Sequence, residues 1–378
     1  MQEQLKRARW GQPPWTIDFH PEKRPLPDAV EFAIVGGGFT GLAAAAWLKH
    51  VAPEKSVALF EAESIGAGSS GHTGGLALPE TAAGDLPGLG DVLSGLSSTL
   101  RELRVNCDLS LPGVWEIARE DGIKDSAISW SDSGTLRVTR ETKGGTVDPG
   151  KMVSGLAHAA SAGGALIFEN ARVEGMARAN QTELKVIGKT VRARCVLVST
   201  NAQSLELSGL AGRAQPKFTM AVMTEPLTRT QIESLGLAAG KPFYTMDLPY
   251  LWGRMAQGNR VIFGSGLVHL NDWRELAKID VETGEAAELL KGLERRVHGL
   301  HPALNKVSVT HRWGGPILIA DKWQPVFRRH AENRDAIVLG AYSGHGVALS
   351  VYLGRWAAEA MLGKKELPEW NIAESAAN

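Results

Sequence analysis

Ala33-Ile34-Val35-Gly36-Gly37-Gly38-Phe39-Thr40-Gly41 is an apolar run that breaks into glycines and restarts as the alanine-rich stretch Gly41 to Leu48. This is G-x-G-x-x-G in the setting that gives it meaning: strand, glycine turn, helix. About twenty residues on, a second apolar run, Val57-Ala58-Leu59-Phe60, ends at Glu61. Each part has a task. Gly36 permits the tight turn, Gly38 lets a pyrophosphate approach the backbone, and Gly41 lets the helix pack close to the strand. Phe39 and Thr40 open that helix, whose unpaired N–H groups and positive dipole end face the phosphates. Glu61 can accept hydrogen bonds from a ribose diol, which its charge would deny to a 2′-phosphate. Residues 29 to 62 therefore predict a βαβ unit for a dinucleotide, either NAD or FAD.

The rest of the composition narrows the class. At 378 residues the chain can bury two large cores, and its 41 basic residues balance 41 acidic ones. There is no basic excess to suggest nucleic acid. No stretch reaches the roughly 18 apolar residues of a membrane span. The charged N-terminus, Met1 to Arg7, is followed by no signal-peptide core, so a cytoplasmic protein is expected. The two cysteines, Cys107 and Cys195, make no disulfide framework, and Cys195 reads as a small buried hydrophobe in a strand. No metal is expected.

Along the chain, residues 1–28 read as an extended arm rich in Pro, Trp and charge. Residues 92–106 carry leucines at helical spacing, Val147-Asp148-Pro149-Gly150 caps a helix through Ala162, and a further helix is expected over about 282–298. Strands are expected around 113–140, at Ala165 to Phe168, at Val196 to Val198, and repeatedly from Pro216 to Arg312. Near the C-terminus, Ala336-Ile337-Val338-Leu339-Gly340 runs into Tyr342-Ser343-Gly344-His345-Gly346-Val347 and a last helix to about Leu362. That repeats the logic of the first motif. A second helix N-terminus aimed at the cofactor is more than NAD requires, and it suits the negative charge on the N1–C2=O edge of a reduced flavin. FAD is therefore the expected cofactor.

These residues resemble the FAD-dependent amine and amino-acid oxidases typified by D-amino-acid, glycine and sarcosine oxidases. The resemblance rests on Val35 to Gly41, Glu61, Gly66-Ala67-Gly68-Ser69-Ser70-Gly71, Val147-Asp148-Pro149, Val196 to Ala202 and Tyr342 to Gly346. Within that family the chain most resembles γ-glutamylputrescine oxidase-like proteins, through Arg312-Trp313-Gly314-Gly315 followed by Pro325, Ser343 to Leu349, and the Trp-Pro arm. The implied architecture is α/β: a Rossmann-like FAD-binding domain with an inserted β-rich (α+β) substrate domain. Residues 29–100, 146–212 and 320–378 would form the discontinuous first domain, and 101–145 with 213–319 the second.

The resemblance also implies site residues. Beyond the first motif, Ser69, Ser70, His72, Thr73, Gly75, Val173, Asn201, Gly315, Ser343, Gly344, His345, Gly346 and Val347 would contact FAD. His72 matches a histidine that some relatives link covalently to flavin, and its other reading is a polar cofactor contact. His345 is expected to position the cofactor, with a catalytic-base role as the alternative. In Pro249-Tyr250-Leu251-Trp252-Gly253-Arg254 a strand-like alternation would put Tyr250, Trp252 and Arg254 on one face, which suits a pocket wall. Tyr250, Arg254, Arg312 and His345 are the candidate catalytic residues.

Two departures bear on the substrate. Ala348 stands where sarcosine oxidases carry a carboxylate-gripping lysine, and Pro316-Ile317-Leu318 where related oxidases place an arginine. The sarcosine-oxidase flavin-tethering cysteine falls near Gly314. The implied reaction is oxidation of a C–N bond in an amine or amino-acid derivative by hydride transfer to flavin. Oxygen is the expected acceptor, with Lys217, Lys241 and Lys322 as candidate activating cations. A dehydrogenase feeding a quinone or carrier is the first alternative. A 2-hydroxy-acid oxidoreductase is the second, and would need a histidine such as His269, His298, His301 or His311 in its substrate domain.

Overall fold

A computed structural model describes residues 9–120 and 125–370. The first eight residues of the arm, four residues of the 101–145 segment and the last eight of the chain lie outside the described residues.

The strand Ala29–Val35 sits inside an eight-stranded sheet. It is flanked in parallel by Lys189–Val198 and Val57–Phe60, with Ala336–Gly340 beyond the former and Leu166–Phe168 beyond the latter. Phe32, Ala33 and Ile34 are fully buried. Parallel strands covered on both faces read as unbroken apolar runs, which is why the motif's strand shows no alternation. Val326–Arg329 closes one edge antiparallel, and the hairpin Val173–Arg178 with Thr182–Val186 pairs onto the start of Lys189–Val198.

The opening helix, Phe39–Val51, is buried nearly all round and packs between the helices Gly346–Met361 and Pro149–Ala162. Its alanines permit this. A Cβ on Gly354 would stand 2.7 Å from the Thr40 carbonyl oxygen, so the first and last helices touch backbone to backbone. The helix Pro149–Ala162 starts as its sequence dictates: Asp148 accepts from the Lys151 N–H at 2.9 Å, and proline occupies the first turn, where no N–H is needed. The helix expected over 92–106 ends earlier, spanning Val92–Glu102, because Arg104 turns left-handed at φ 56°.

The second sheet also has eight strands, in the order Val309–Ala320, Ala214–Thr224, Arg260–His269, Trp252–Ala256, Phe243–Thr245, Val114–Arg119, Thr135–Thr142 and Ser129–Ser131. It is antiparallel except where Phe243–Thr245 meets Val114–Arg119. The helix Gly284–Leu300 covers one face, and Trp130, Phe243 and Phe263 interlock edge to face beneath it at 4.9–6.1 Å. The strand predicted from Pro249 begins only at Trp252. Pro249 has no N–H to give a ladder, and the Tyr250 carbonyl is taken by Arg296 and Ser265 instead. Tyr250 therefore sits in a loop, and only Trp252 and Arg254 share a strand.

The long strand Val309–Ala320 ties the sheets together. Pro316 accepts from Ser69 Oγ at 2.6 Å, and Leu318 accepts from the Ser343 N–H at 3.1 Å. The described part of the arm runs along this seam. Trp10 accepts from the Gly314 N–H and stands edge-on to His72, while Trp15 donates from Nε1 to the Gly71 carbonyl and packs against Trp313. Cys195 lies buried in its strand, and burial pushes the Cys107 thiol up to about 12, so both are packing residues. Among the described residues no helix is long and apolar enough to cross a membrane.

Candidate active site

One cavity of about 1250 Å³ runs between the two sheets, from Gly36 at one end to Tyr250 and Trp323 at the other. Drug-sized pockets hold roughly 300–1,000 Å³, so this space admits a dinucleotide together with a second molecule.

Its nucleotide end is shaped by glycines. Gly36 has φ 108°, and a Cβ there would lie 2.7 Å from the Ser199 carbonyl oxygen. A Cβ on Gly38 would lie 2.8 Å from Ser70 Oγ, and one on Gly41 2.0 Å from the Gly36 carbonyl oxygen. Gly41 itself is not on the cavity wall; it closes the turn from behind. Glu61 accepts from the Gly37 N–H at 2.7 Å and from the Glu63 N–H at 2.9 Å. Burial pushes its carboxyl above the usual range, as fits an acid waiting for ribose hydroxyls in place of water. Ser70 Oγ accepts from the Phe39 N–H at 2.9 Å, which holds the second glycine loop against the first helix. Val173 and Thr40 also face this space, and Thr40 Oγ1 lies 2.7 Å from the Tyr342 hydroxyl.

Tyr342 leads into the second turn. Ser343 and Gly344 are both left-handed, at φ 51° and 91°, and this aims the N-terminus of the helix Gly346–Met361 into the same cavity. Gly344, His345, Gly346 and Val347 line it. Asn201, left-handed at φ 47°, braces the turn: its Oδ1 accepts from the Ala341 N–H at 2.9 Å and its Nδ2 donates to Ser69 Oγ at 3.0 Å. Two helix N-termini thus open onto one space, each presenting backbone N–H groups without helical partners. The bare backbone at Gly36 and Gly38, the half-buried Glu61 and this second N-terminus together fit a flavin dinucleotide.

His72 lies on the short helix Ser69–His72 with its Nδ1 2.9 Å from the Gly68 carbonyl. A carbonyl only accepts, so Nδ1 carries a proton. Gly315 packs against its Cβ and Trp313 Nε1 donates to its carbonyl at 3.0 Å, which fixes the ring on the cavity wall. Thr73 also lines the cavity, whereas Gly75, at φ 81°, sits behind it against the Val147 carbonyl.

The expected catalytic group does not assemble as a unit. Tyr250 lines the far end, half-exposed, and burial of its hydroxyl environment pushes its pKa up to about 12. Arg254 shares a strand with Trp252 but lies behind the wall, where Nε donates to the Gly74 carbonyl and Nη1 to that of Met255 at 3.1 Å. Burial lowers its pKa to about 10. Its visible task is to hold the Gly74–Gly75 backbone. Arg312 is exposed and pairs with Glu294 at 2.6 Å on the outer face of its strand, because its neighbour Trp313 takes the inward side. It does not reach the cavity. Of the four candidate histidines only His269 lies on the cavity, at its rim, and none of Lys217, Lys241 and Lys322 does.

Sequence reading missed a polar cluster at the substrate end. Glu116 is buried; it accepts from Arg140 at 2.7 and 2.9 Å and from the Tyr244 hydroxyl at 2.9 Å. Glu80 faces the same space, and desolvation together with the Glu116 charge raises its pKa. These residues come from separate strands and loops, and no local spacing marks them.

His345, half-buried, is the histidine of the flavin-side turn, and desolvation holds its imidazole below the ordinary value. A histidine with a lowered folded pKa contributes stability above its unfolded pKa, about 6.5, and loses it as pH falls through the folded value. Thermal melts are expected to fall more steeply from pH 7 to pH 5 in the parent than in His345→Gln. Superimposed profiles would assign the effect elsewhere.

Residues 31–360 match the DAO family, described as FAD dependent oxidoreductase. Among curated proteins, the chain is 26% identical over 381 residues to gamma-glutamylputrescine oxidoreductase of Escherichia coli K12, covering 89% of this chain and 84% of that one. Among solved structures, glycine oxidase from Geobacillus kaustophilus superposes with a TM-score of 0.72 at 19% identity, covering 92% of this chain and 98% of that one. L-proline dehydrogenase from P. horikoshii gives 0.69 at 18% identity, with 90% and 95% covered. The glycine cradle, the half-buried acid and the paired helix N-termini are thus found in a chain that belongs to the DAO family, and the protein is an FAD-dependent oxidoreductase.

Proposed function

We propose that the enzyme oxidises the C–N bond of a cationic amine to an imine, which water then hydrolyses, with oxygen as the acceptor. The observation that carries this reading is the charge of the substrate end. Glu80 and Glu116 face it, Arg140 is engaged by Glu116, and Asp247 by Arg119. Among the described lining residues there is no lysine, and the other arginine, Arg172, lies beside Val173 at the nucleotide end. A carboxylate next to the reacting carbon needs an uncommitted guanidinium or ammonium, and such anchors are the strong ones. This wall offers an ammonium its counter-charge instead.

Bound FAD supplies the two-electron acceptor. The chain's own residues bring the amine in and strip its water. Leu76, Leu78, Trp252 and Tyr244 make an apolar middle section, and desolvation there lowers the pKa of an entering ammonium. That favours the neutral amine, the form whose lone pair can assist loss of hydride from the adjacent carbon.

Anaerobic mixing with a panel of amines and α-amino acids, γ-glutamylputrescine included, tests the reading through bleaching of the flavin band. Amines are expected to bleach it and simple α-amino acids to leave it coloured. Glu80→Gln should raise KM for the best amine about tenfold while kcat stays within a factor of three, the signature of lost uniform binding. An α-amino acid that outpaces every amine would overturn the reading. Peroxide formed in step with turnover supports oxygen; turnover confined to a quinone or dye would favour the dehydrogenase.

A further inference from the structure

Seven large apolar side chains of the described residues stand substantially in solvent: Leu111, Ile187, Met246, Leu248, Tyr250, Leu267 and Trp323. Five of them, Met246, Leu248, Tyr250, Leu267 and Trp323, line the mouth of the one large cavity. Scattered apolar residues on a surface need no explanation, but five that stand in solvent and line the wall of the same cavity do. Leu248 is the extreme case at 83% exposure.

This group is built, not loose. Arg119, from the end of its strand, donates to the Leu248 carbonyl at 3.1 Å; Arg296, from the helix Gly284–Leu300, donates to the Pro249 carbonyl at 2.7 Å and the Tyr250 carbonyl at 2.9 Å. Three consecutive carbonyls are thereby held from beneath. One carboxylate holds both guanidiniums: Asp132 Oδ2 lies 2.6 Å from each. The side chains of Arg119, Asp132 and Arg296 are only 13%, 8% and 14% exposed. Trp323, which also lines the cavity, and Lys322 before it are both left-handed, at φ 62° and 58°, a costly backbone for side-chain-bearing residues. The chain thus spends buried charge and backbone strain to keep apolar side chains in water.

We propose that this collar is a subsite for an apolar segment of the substrate, distal to its reacting group, and that Asp132 is the positioning residue that keeps the collar in shape. The collar is continuous with the cavity rather than part of an outer face, which argues for a molecule that enters the cavity over a partner that caps it. The proposal rests on the reading above only for where the reacting end lies. A linear molecule with its amine inside and an alkyl or aryl segment at the mouth satisfies both ends.

The test is calorimetric binding of n-alkylamines and n-alkanols, propyl to octyl, to the FAD-loaded protein. Dissociation constants are expected to fall about three- to fourfold per methylene once the chain reaches the collar, in both series. Leu248→Ser and Met246→Ser, both exposed sites, should flatten that slope. Asp132→Asn should weaken octyl compounds at least tenfold and propyl compounds less than twofold. A slope of zero in the parent overturns the subsite, as does a slope that the two serine variants leave unchanged. Equal weakening of short and long chains by Asp132→Asn overturns its positioning role. Sedimentation showing a dimer that Leu248→Ser dissociates, with no chain-length dependence, would assign the collar to a second copy. A slope in both series without bleaching by any amine keeps the subsite and discards the amine reading.

Discussion

Gly41→Ala is expected to cost the protein its flavin. A Cβ at that position would stand 2.0 Å from the Gly36 carbonyl oxygen, in the glycine turn itself, and 3.0 Å from Ser199 Oγ at the end of the neighbouring strand. No rotamer relieves a clash between Cβ and backbone, so the helix must lift from the strand or the turn must open. Either movement displaces the N–H groups of Gly37 to Phe39 from the cavity wall. Overpacking of this kind costs about 1–3 kcal/mol of stability. The larger loss falls on the cofactor, because pyrophosphate recognition depends on several N–H groups converging together. The expected result is purified protein with at least tenfold less flavin absorbance per chain, and a Tm that no longer rises on adding FAD, as ligand linkage otherwise requires. Normal flavin content in Gly41→Ala would show that the turn tolerates a side chain and that the assignment of the cradle is mistaken.

Asp132→Ala carries the second large effect, on stability. The residue neutralises two guanidiniums that are each more than four-fifths covered. Removing the shared carboxylate leaves Arg296 with carbonyls and a hydroxyl, and Arg119 with Asp247. Truncating one member of a buried charge network costs about 3–5 kcal/mol, most of it the penalty of stranded charge rather than the worth of the bond. For a chain of this size that corresponds to a fall in Tm of roughly 4–6 °C. Asp132→Asn keeps the shape and part of the hydrogen bonding, and should recover about half of the loss. Thermal melts of the three proteins settle the matter, and a fall of under 1 °C for Asp132→Ala would mean that solvent already screens the network. The exposed pair Arg312–Glu294 offers the contrast, since surface ion pairs are worth about 0–1 kcal/mol.

These contrasts trace what sequence reading can reach. The glycine turn was legible because its parts are local: Gly36, Gly38, Gly41 and Glu61 lie within one βαβ unit, with Gly36 and Gly41 answering contacts in that unit or at Ser199 beside it and Gly38 answering Ser70 of the next loop. The second turn was legible for the same reason, as a strand, a turn with three left-handed residues and a helix in sequence. Arg254 shares a face with the cavity-lining Trp252, but its guanidinium is turned to the Gly74 carbonyl behind the wall; Arg312 is off the cavity because alternation specifies parity along a strand but not which side faces inward. At Arg312 the inward side belongs to Trp313, which the arm's Trp15 covers. Tyr250 reached the cavity from a loop rather than the expected strand, because Pro249 interrupts the ladder.

By itself the sequence determined the cofactor class and pointed to the glycine turn expected to hold it, since pyrophosphate binding is a property of backbone at a turn and glycines declare that backbone. Only the tertiary structure decided the substrate end. Glu116, Arg140 and Tyr244 meet through the register of three strands, and Arg119, Asp132 and Arg296 through two strand ends and a helix. Charge pairing depends on distance in space, and these partners are separated by up to 164 residues in the chain.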